Sequence, residues 1–186
     1  MSTDQTSWDA AVRHLYRDAC AYIATGPRHQ EDWTLDVLAL MARAVPDPRG
    51  LGPRRRRGGG PERVGNPTWP FAAHSSEYVA PRLKEIDRDS AENLLLALTE
   101  GGCTLSNLQY FTESPDELRA MALTVLARYG DKATCRTNVR KTGSAPGTLD
   151  FTLESLEYSP MSVFTEDCGL VVSDTEVGLF WNFNDL

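Results

Sequence analysis

A chain of 186 residues, 41% hydrophobic and 24% charged, can bury one core with an appendage but is short for two full domains. No apolar run approaches the roughly 18 residues of a membrane span, and Met-Ser-Thr-Asp-Gln-Thr-Ser at the N-terminus lacks the basic and apolar regions of a secretory signal, so the expected compartment is the cytoplasm. The formal charge of −7 is unevenly placed: residues 1–70 hold 10 Lys or Arg against 8 Asp or Glu, and residues 71–186 hold 9 against 18, which opposes nucleic-acid binding and favours a basic partner.

The first predicted element is an amphipathic helix over 7–24. Trp8, Ala11, Val12, Leu15, Tyr16, Ala19, Tyr22 and Ile23 recur at three- and four-residue steps, and Gly26-Pro27 ends it. A second helix is predicted over 31–45, with Trp33, Val37, Leu40, Met41 and Ala44 as its stripe and Glu31 and Asp32 suited to its first turn. Together they predict an αα-hairpin over residues 1–46. Such a hairpin is too small to stand alone and must dock.

Residues 47–70 read as a flexible basic linker. The run from Pro46 to Pro61 is rich in Pro, Gly and Arg, with Leu51 its single large apolar residue, and cannot offset its ordering entropy by burial. Trp69, Pro70 and Phe71 mark a return to apolar sequence.

Residues 71–186 then predict an acidic α+β domain. A helix is expected over 90–100, capped by Asp89 or Ser90, with Leu94, Leu95 and Leu98 inward and Gly101-Gly102 stopping it. Residues 103–112 read as a strand through Leu105, Leu108, Tyr110 and Phe111. A helix over 115–129 has the clearest signature: Ser114 as N-cap, Pro115 at the first position, Glu117 completing a capping box, and Gly130 after the end. Alternation over 132–140, with Cys135, Thr137 and Val139 inward, predicts a strand. Another runs from Leu149, with a one-residue slip after Leu153 that suggests a β-bulge. Short strands are expected over 161–165 and 169–172, and Ser173-Asp174-Thr175 turns into a last strand carrying Val177, Leu179, Trp181 and Phe183. The expected fold class is α+β: an N-terminal αα-hairpin, a long Arg/Gly/Pro-rich loop, then helices packed on one face of a mostly antiparallel sheet, with Trp181 in the core.

The chemistry is read mainly from what the spacings lack. Arg54, Arg55, Arg56 and Arg57 sit on a Gly/Pro backbone able to grip phosphates, but no aromatic residue is interleaved and the neighbouring domain is acidic, so nucleic acid is not the expected partner. Cys20, Cys103, Cys135 and Cys168 form no Cys-x-x-Cys pair and no Cys/His cluster, and read as reduced buried thiols. A nucleophilic Cys168 would need a base, and the adjoining Glu166 and Asp167 push a thiol pKa the wrong way. His14, His29 and His74 are scattered over three elements. His74-Ser-Ser-Glu77 lacks the second Glu-x-x-His that di-metal bundles use. Phosphate loops and a nucleophile elbow are missing. No cofactor and no metal site is implied.

What remains is an acidic surface. Asp150 and Glu154 share the solvent face of the strand from Leu149, with Glu157 nearby across the bulge and Asp174 and Glu176 at a turn and strand end, and Phe180 falls on the strand face opposite Trp181. If helices cover one face only, Phe180 is either exposed or meets the N-terminal hairpin, and an exposed aromatic ringed by carboxylates would be a binding anchor. The expectation is a non-enzymatic, cytoplasmic protein-binding module for a basic protein, such as a bacterial immunity-type inhibitor of a basic toxin or nuclease. The alternatives are an adaptor or assembly subunit binding through its N-terminal helices, and an enzyme with an unrecognised carboxylate or cysteine site.

Overall fold

Alternation organises the sheet. In the last strand Val177, Leu179, Trp181 and Phe183 point to one face and Gly178, Phe180 and Asn182 to the other, and all seven are buried. A computed structural model describes residues 4–17, 21–42, 45–50, 65–101, 103–140, 151, 157–164 and 167–183. Its elements are α1 (Gln5–Leu15), β1 (Ala21–Pro27), α2 (Trp33–Met41), α3 (Ser76–Val79), β2 (Lys84–Ile86), α4 (Arg88–Ala97), a 3-10 helix (Leu105–Tyr110), α5 (Pro115–Ala127), β3 (Thr134–Thr137), β4 (Asp167–Ser173) and β5 (Glu176–Phe183). The five strands pair antiparallel in the order β1-β5-β4-β3-β2. The α+β class and the antiparallel sheet are as expected.

Helices cover both faces rather than one. Phe180, Leu170, Val172, Cys135 and Ile23 share a core with Trp8 and Leu15 of α1, Leu94 and Leu95 of α4, and Leu118 and Leu126 of α5. The opposite side, Leu179, Trp181, Phe183 and Val171, packs on Val37, Leu40 and Met41 of α2, with Phe71, Val79 and Leu83. Phe71 sits edge-on to Tyr22, Trp181 and Phe183 at centroid distances of 5.3, 5.5 and 5.1 Å. Burying each such large side chain contributes about 2 kcal/mol. The continuous run from Cys168 through Val172 fits a strand covered on both sides, where alternation is no longer required.

The predicted αα-hairpin is not formed. Helix α1 stops at Leu15, and Tyr22 and Ile23 lie in β1, opposite Trp181 and Phe180 of β5. A strand satisfies these residues as well as a helix does, because Ala21 and Ile23 reach one core while Tyr22 and Ala24 reach the other. The N-terminal 46 residues therefore supply an edge strand of the same sheet instead of a separate docking hairpin. Of the linker, residues 51–64, with Arg54–Arg57, lie outside the described residues. Arg49, close to that tract, is an internal tie: its guanidinium pairs with Asp47 at 2.6 Å and donates to the carbonyls of Tyr16 and Ala21.

Two other expectations change. Residues 105–110 form a 3-10 helix where a strand was predicted. The three-residue spacing of Leu105 and Leu108 suits 3.0 residues per turn. Thr104 accepts from Ser106 N, and buried Asn107 donates to the carbonyls of Ala97 and Glu100. Helix α4 starts earlier than expected because Asp87, not Asp89 or Ser90, accepts from Ser90 N at 2.7 Å. The α5 capping box forms as read, Ser114 and Glu117 bonding reciprocally. Asp174 and Thr175 turn β4 into β5 as expected. The strand from Leu149 and its bulge fall mostly outside the described residues, which include Phe151 and then residues 157–164.

Cys103 and Cys168 are joined in a buried disulfide. This corrects the reading of both as reduced thiols. Distance in sequence hid the pair, because 65 residues separate two cysteines that the 3-10 segment and β4 bring together. Cys135 is a free buried thiol. Among the described residues no helix is long and apolar enough to cross a membrane.

Candidate functional site

The carboxylates singled out at the β4–β5 turn stand among arginines. Arg128, just past α5, forks onto Glu176 at 2.7 and 3.0 Å, and its third nitrogen donates to Gln5 Oε1 at 2.9 Å. Hydrogen bonding to Glu176 raises the Arg128 pKa. Asp174 is exposed on the turn. Arg88 donates to the carbonyl of Gly130, where an added Cβ would lie 3.7 Å from Asp174 Oδ2, and Arg136 donates to Ser173 Oγ while lying 4.4 Å over the Trp33 ring. Charge is interleaved there, so the turn does not accumulate a negative field. Glu157 is exposed, with its carbonyl accepting from Arg140 N. Asp150 and Glu154 lie outside the described residues.

Phe180 is not a surface anchor. It is completely buried, with the Tyr16 and Tyr129 rings at 6.1 and 6.3 Å. The helices α1, α4 and α5 that cover its face are what removed it from solvent.

Among the described residues, most of the reactive side chains are engaged structurally. Cys168 is disulfide-bonded and so is no nucleophile, and burial pushes the Cys135 thiol up to about 11, which keeps it protonated and inert. His14 lies 2.9 Å from Glu113, joining α1 to the α5 entry. His74 bonds to the Met161 carbonyl at 2.7 Å and stacks on Tyr78 at 4.2 Å. The His29 amide donates to Asp36. Among the described residues, no three His, Cys, Asp or Glu side chains are grouped to hold a metal. Asp167 is fully buried at the start of β4, and burial raises its pKa. Its carboxyl accepts from Trp181 Nε1 at 2.7 Å and from Met161 N, and its carbonyl accepts from Asn138 Nδ2. That network joins β3, β4 and β5, and it uses up the carboxyl's lone pairs in holding the fold.

A second concentration of carboxylates lies in one stretch of sequence. Residues 89–118 contain six Asp or Glu and no Lys, Arg or His. Glu92 is buried and paired with Arg119 at 2.9 Å between α4 and α5. Glu100, Asp116 and Glu117 are exposed, and Glu113 is partly so. The Ser114 backbone amide holds Glu117 below the usual carboxylate range, and its own backbone amide does the same for Glu113. Both are ionised near neutral pH. Within the same stretch Tyr110, the last residue of the 3-10 helix, is 63% exposed, against 43–45% for Leu35, Leu123 and Val163. The next residue, Phe111, is held by the Arg17 guanidinium 4.9 Å from its ring and by His14, which fixes the backbone that presents Tyr110. Asn107, bonded to the Glu100 carbonyl, anchors the other end.

Sequence reasoning placed Tyr110 inside a strand and so missed this surface. The signal was available as a thirty-residue stretch with no basic side chain. Some of that acidity also serves α5, whose first turn favours negative charge. No protein-family model matches the chain, and comparison with curated proteins and with solved structures returns no match.

Proposed function

We propose that this protein is a non-enzymatic binding module that engages a basic protein partner, and that an immunity-type inhibitor of a basic toxin or nuclease is the concrete form of that role. The observation that carries the reading is Tyr110, 63% exposed on a braced 3-10 helix, within a thirty-residue stretch that also holds Glu100, Glu113, Asp116 and Glu117 and no basic side chain. An aromatic side chain with few rotatable bonds is a strong interface anchor, and a rim of carboxylates steers a basic partner and raises its association rate. The net charge of residues 71–186, with 9 basic and 18 acidic side chains, extends that field. The buried Cys103–Cys168 disulfide favours folding in an oxidising environment.

The test compares the wild type with Tyr110→Ala and Asp116→Lys as parallel baits for capture from native extract, followed by titration of the captured protein at low and high salt. Tyr110→Ala is expected to weaken binding by about 2 kcal/mol. Asp116→Lys is expected to slow association about tenfold at low salt, with little effect at high salt. A partner held equally by all three proteins removes this interface.

A second reading, the adaptor, is favoured by Leu35, which α2 leaves 44% exposed. Loss of a partner in Leu35→Glu with Tyr110→Ala still binding would select it.

A further inference from the structure

Cys103 and Cys168 lie at a join that is fastened twice. Cys168 of β4 is the register partner of Asn182 in β5, so the two side chains stand next to each other on one face of the sheet. Asn182 Nδ2 donates to the carbonyls of Leu98 and Glu100 at the end of α4, and Cys168 bonds covalently to Cys103 a few residues on. Thr104 Oγ1 and Leu105 N then both donate to the Phe151 carbonyl. The 3-10 helix, ending in exposed Tyr110, begins at the next turn.

The backbone at Cys103 shows what the fastening enforces. Its φ is +46°, the single positive φ at a non-glycine residue among those described. A side-chain-bearing residue adopts this region at a cost, and holds it where surrounding contacts over-determine the conformation. Here the contact is covalent, and both cysteines are buried, at 0% and 1% exposure. The cross-link is the covalent hold on residue 103 itself, while Thr104 and Leu105 are tied to Phe151 by hydrogen bonds.

We propose that the Cys103–Cys168 disulfide is a redox clasp that holds residues 103–111 in the conformation displaying Tyr110, so that this surface is complete only in the oxidised chain. The functional consequence rests on the interface reading above, while the clasp itself has a separate readout. Opening it takes one dithiol reductant. A reductant thiolate attacks one cysteine sulfur and the other leaves as a thiolate. The reductant's second thiol then displaces the mixed disulfide, and two protein thiols and one oxidised cyclic disulfide result. Because neither sulfur is accessible in the folded state, attack waits on local opening around Cys103.

The experiment uses the full chain purified without reductant. Alkylation in denaturant before and after dithiothreitol, mapped by mass spectrometry, is expected to show Cys103 and Cys168 linked and Cys135 reactive without reduction. In the folded protein dithiothreitol is expected to act about tenfold or more slowly than in denaturant. Once the bond is open, amide exchange over 103–111 should rise while the paired core of β4 and β5 stays protected. The double variant Cys103→Ser with Cys168→Ser should reproduce the fast exchange, and Cys135→Ser should not. Free thiols at 103 and 168 in the untreated protein, or exchange over 103–111 unaltered by reduction, would overturn the clasp. Partner affinity separates the two readings. Binding lost in Tyr110→Ala yet kept in the reduced protein rejects the redox dependence and leaves the interface standing. Binding indifferent to Tyr110→Ala, with exchange still redox-dependent, rejects the interface and keeps the clasp.

Discussion

At Gly169 a single hydrogen in place of a methyl group decides whether the sheet can close. A Cβ there would lie 2.0 Å from Trp181 Cε3 and 2.6 Å from the Phe180 carbonyl. Neither is the tip of a flexible chain, so the indole must leave its place among Phe71, Phe183 and Asp167. Gly169→Ala is expected to cost about 3 kcal/mol, the upper part of the range for overpacking, measured as a lower midpoint in urea unfolding with an unchanged slope. Asp167 is the other decisive residue. Burial raises its folded pKa above the 3.8 of an ordinary Asp, so the folded state binds the proton more tightly than the unfolded chain does. The resulting stability is fully present below the unfolded pKa and is lost as pH rises through the folded value. Asp167→Asn keeps an oxygen for Trp181 Nε1 and removes the titration. The wild-type minus variant unfolding free energy should fall as pH rises from 3.8 upward and level off above the folded pKa. A difference that rises with pH in chemical-denaturation series would contradict this. The paired burial of Trp181 was readable from alternation, whereas the carboxyl at its Nε1 was not, since Asp167 looked like one more turn acid.

At the scale of elements, local signals did well where the information is local. Helix α5 carries its start in Ser114, Pro115 and Glu117, and the structure uses all three. An N-cap hydroxyl of this kind contributes about 1 kcal/mol, enough to place a helix end without any help from tertiary contacts. The errors fell where one set of residues satisfies two periods. Tyr22 and Ile23 fit a helical stripe and a strand equally, and pairing with Trp181 and Phe180 made them a strand. Leu105 and Leu108 fit imperfect alternation or a three-residue repeat, and Asn107, whose side chain reaches back to α4, made them a 3-10 helix. That choice also decided the site, because the same turn leaves Tyr110 outside.

At the scale of the molecule, the N- and C-terminal parts share one sheet and one core. β1 covers the outer side of β5 over seven register pairs, Ala21↔Asn182 to Pro27↔Glu176, and α1 closes the core over Phe180. Deletion of residues 1–46 is therefore expected to abolish cooperative unfolding of the remainder, seen as loss of the thermal transition and of near-ultraviolet circular dichroism. A truncated chain that melts cooperatively would show that the β1 edge is dispensable. The deletion cannot serve as a test of the adaptor reading, since it exposes Leu179, Phe180 and Trp181 as well as removing the helices.

The sequence by itself determined the α+β class, the antiparallel closing strands, the place of Trp181 in the core, the α5 cap and the acidity of residues 71–186. Each of these follows from spacing or charge within a short window. Tertiary structure alone decided that helices cover both faces, that Phe180 is buried, that Arg128 takes up Glu176, and that Cys103 meets Cys168. All four depend on which distant segments become neighbours. A period of two tells which residues share a face of a strand, but not whether a helix from another part of the chain lies on it.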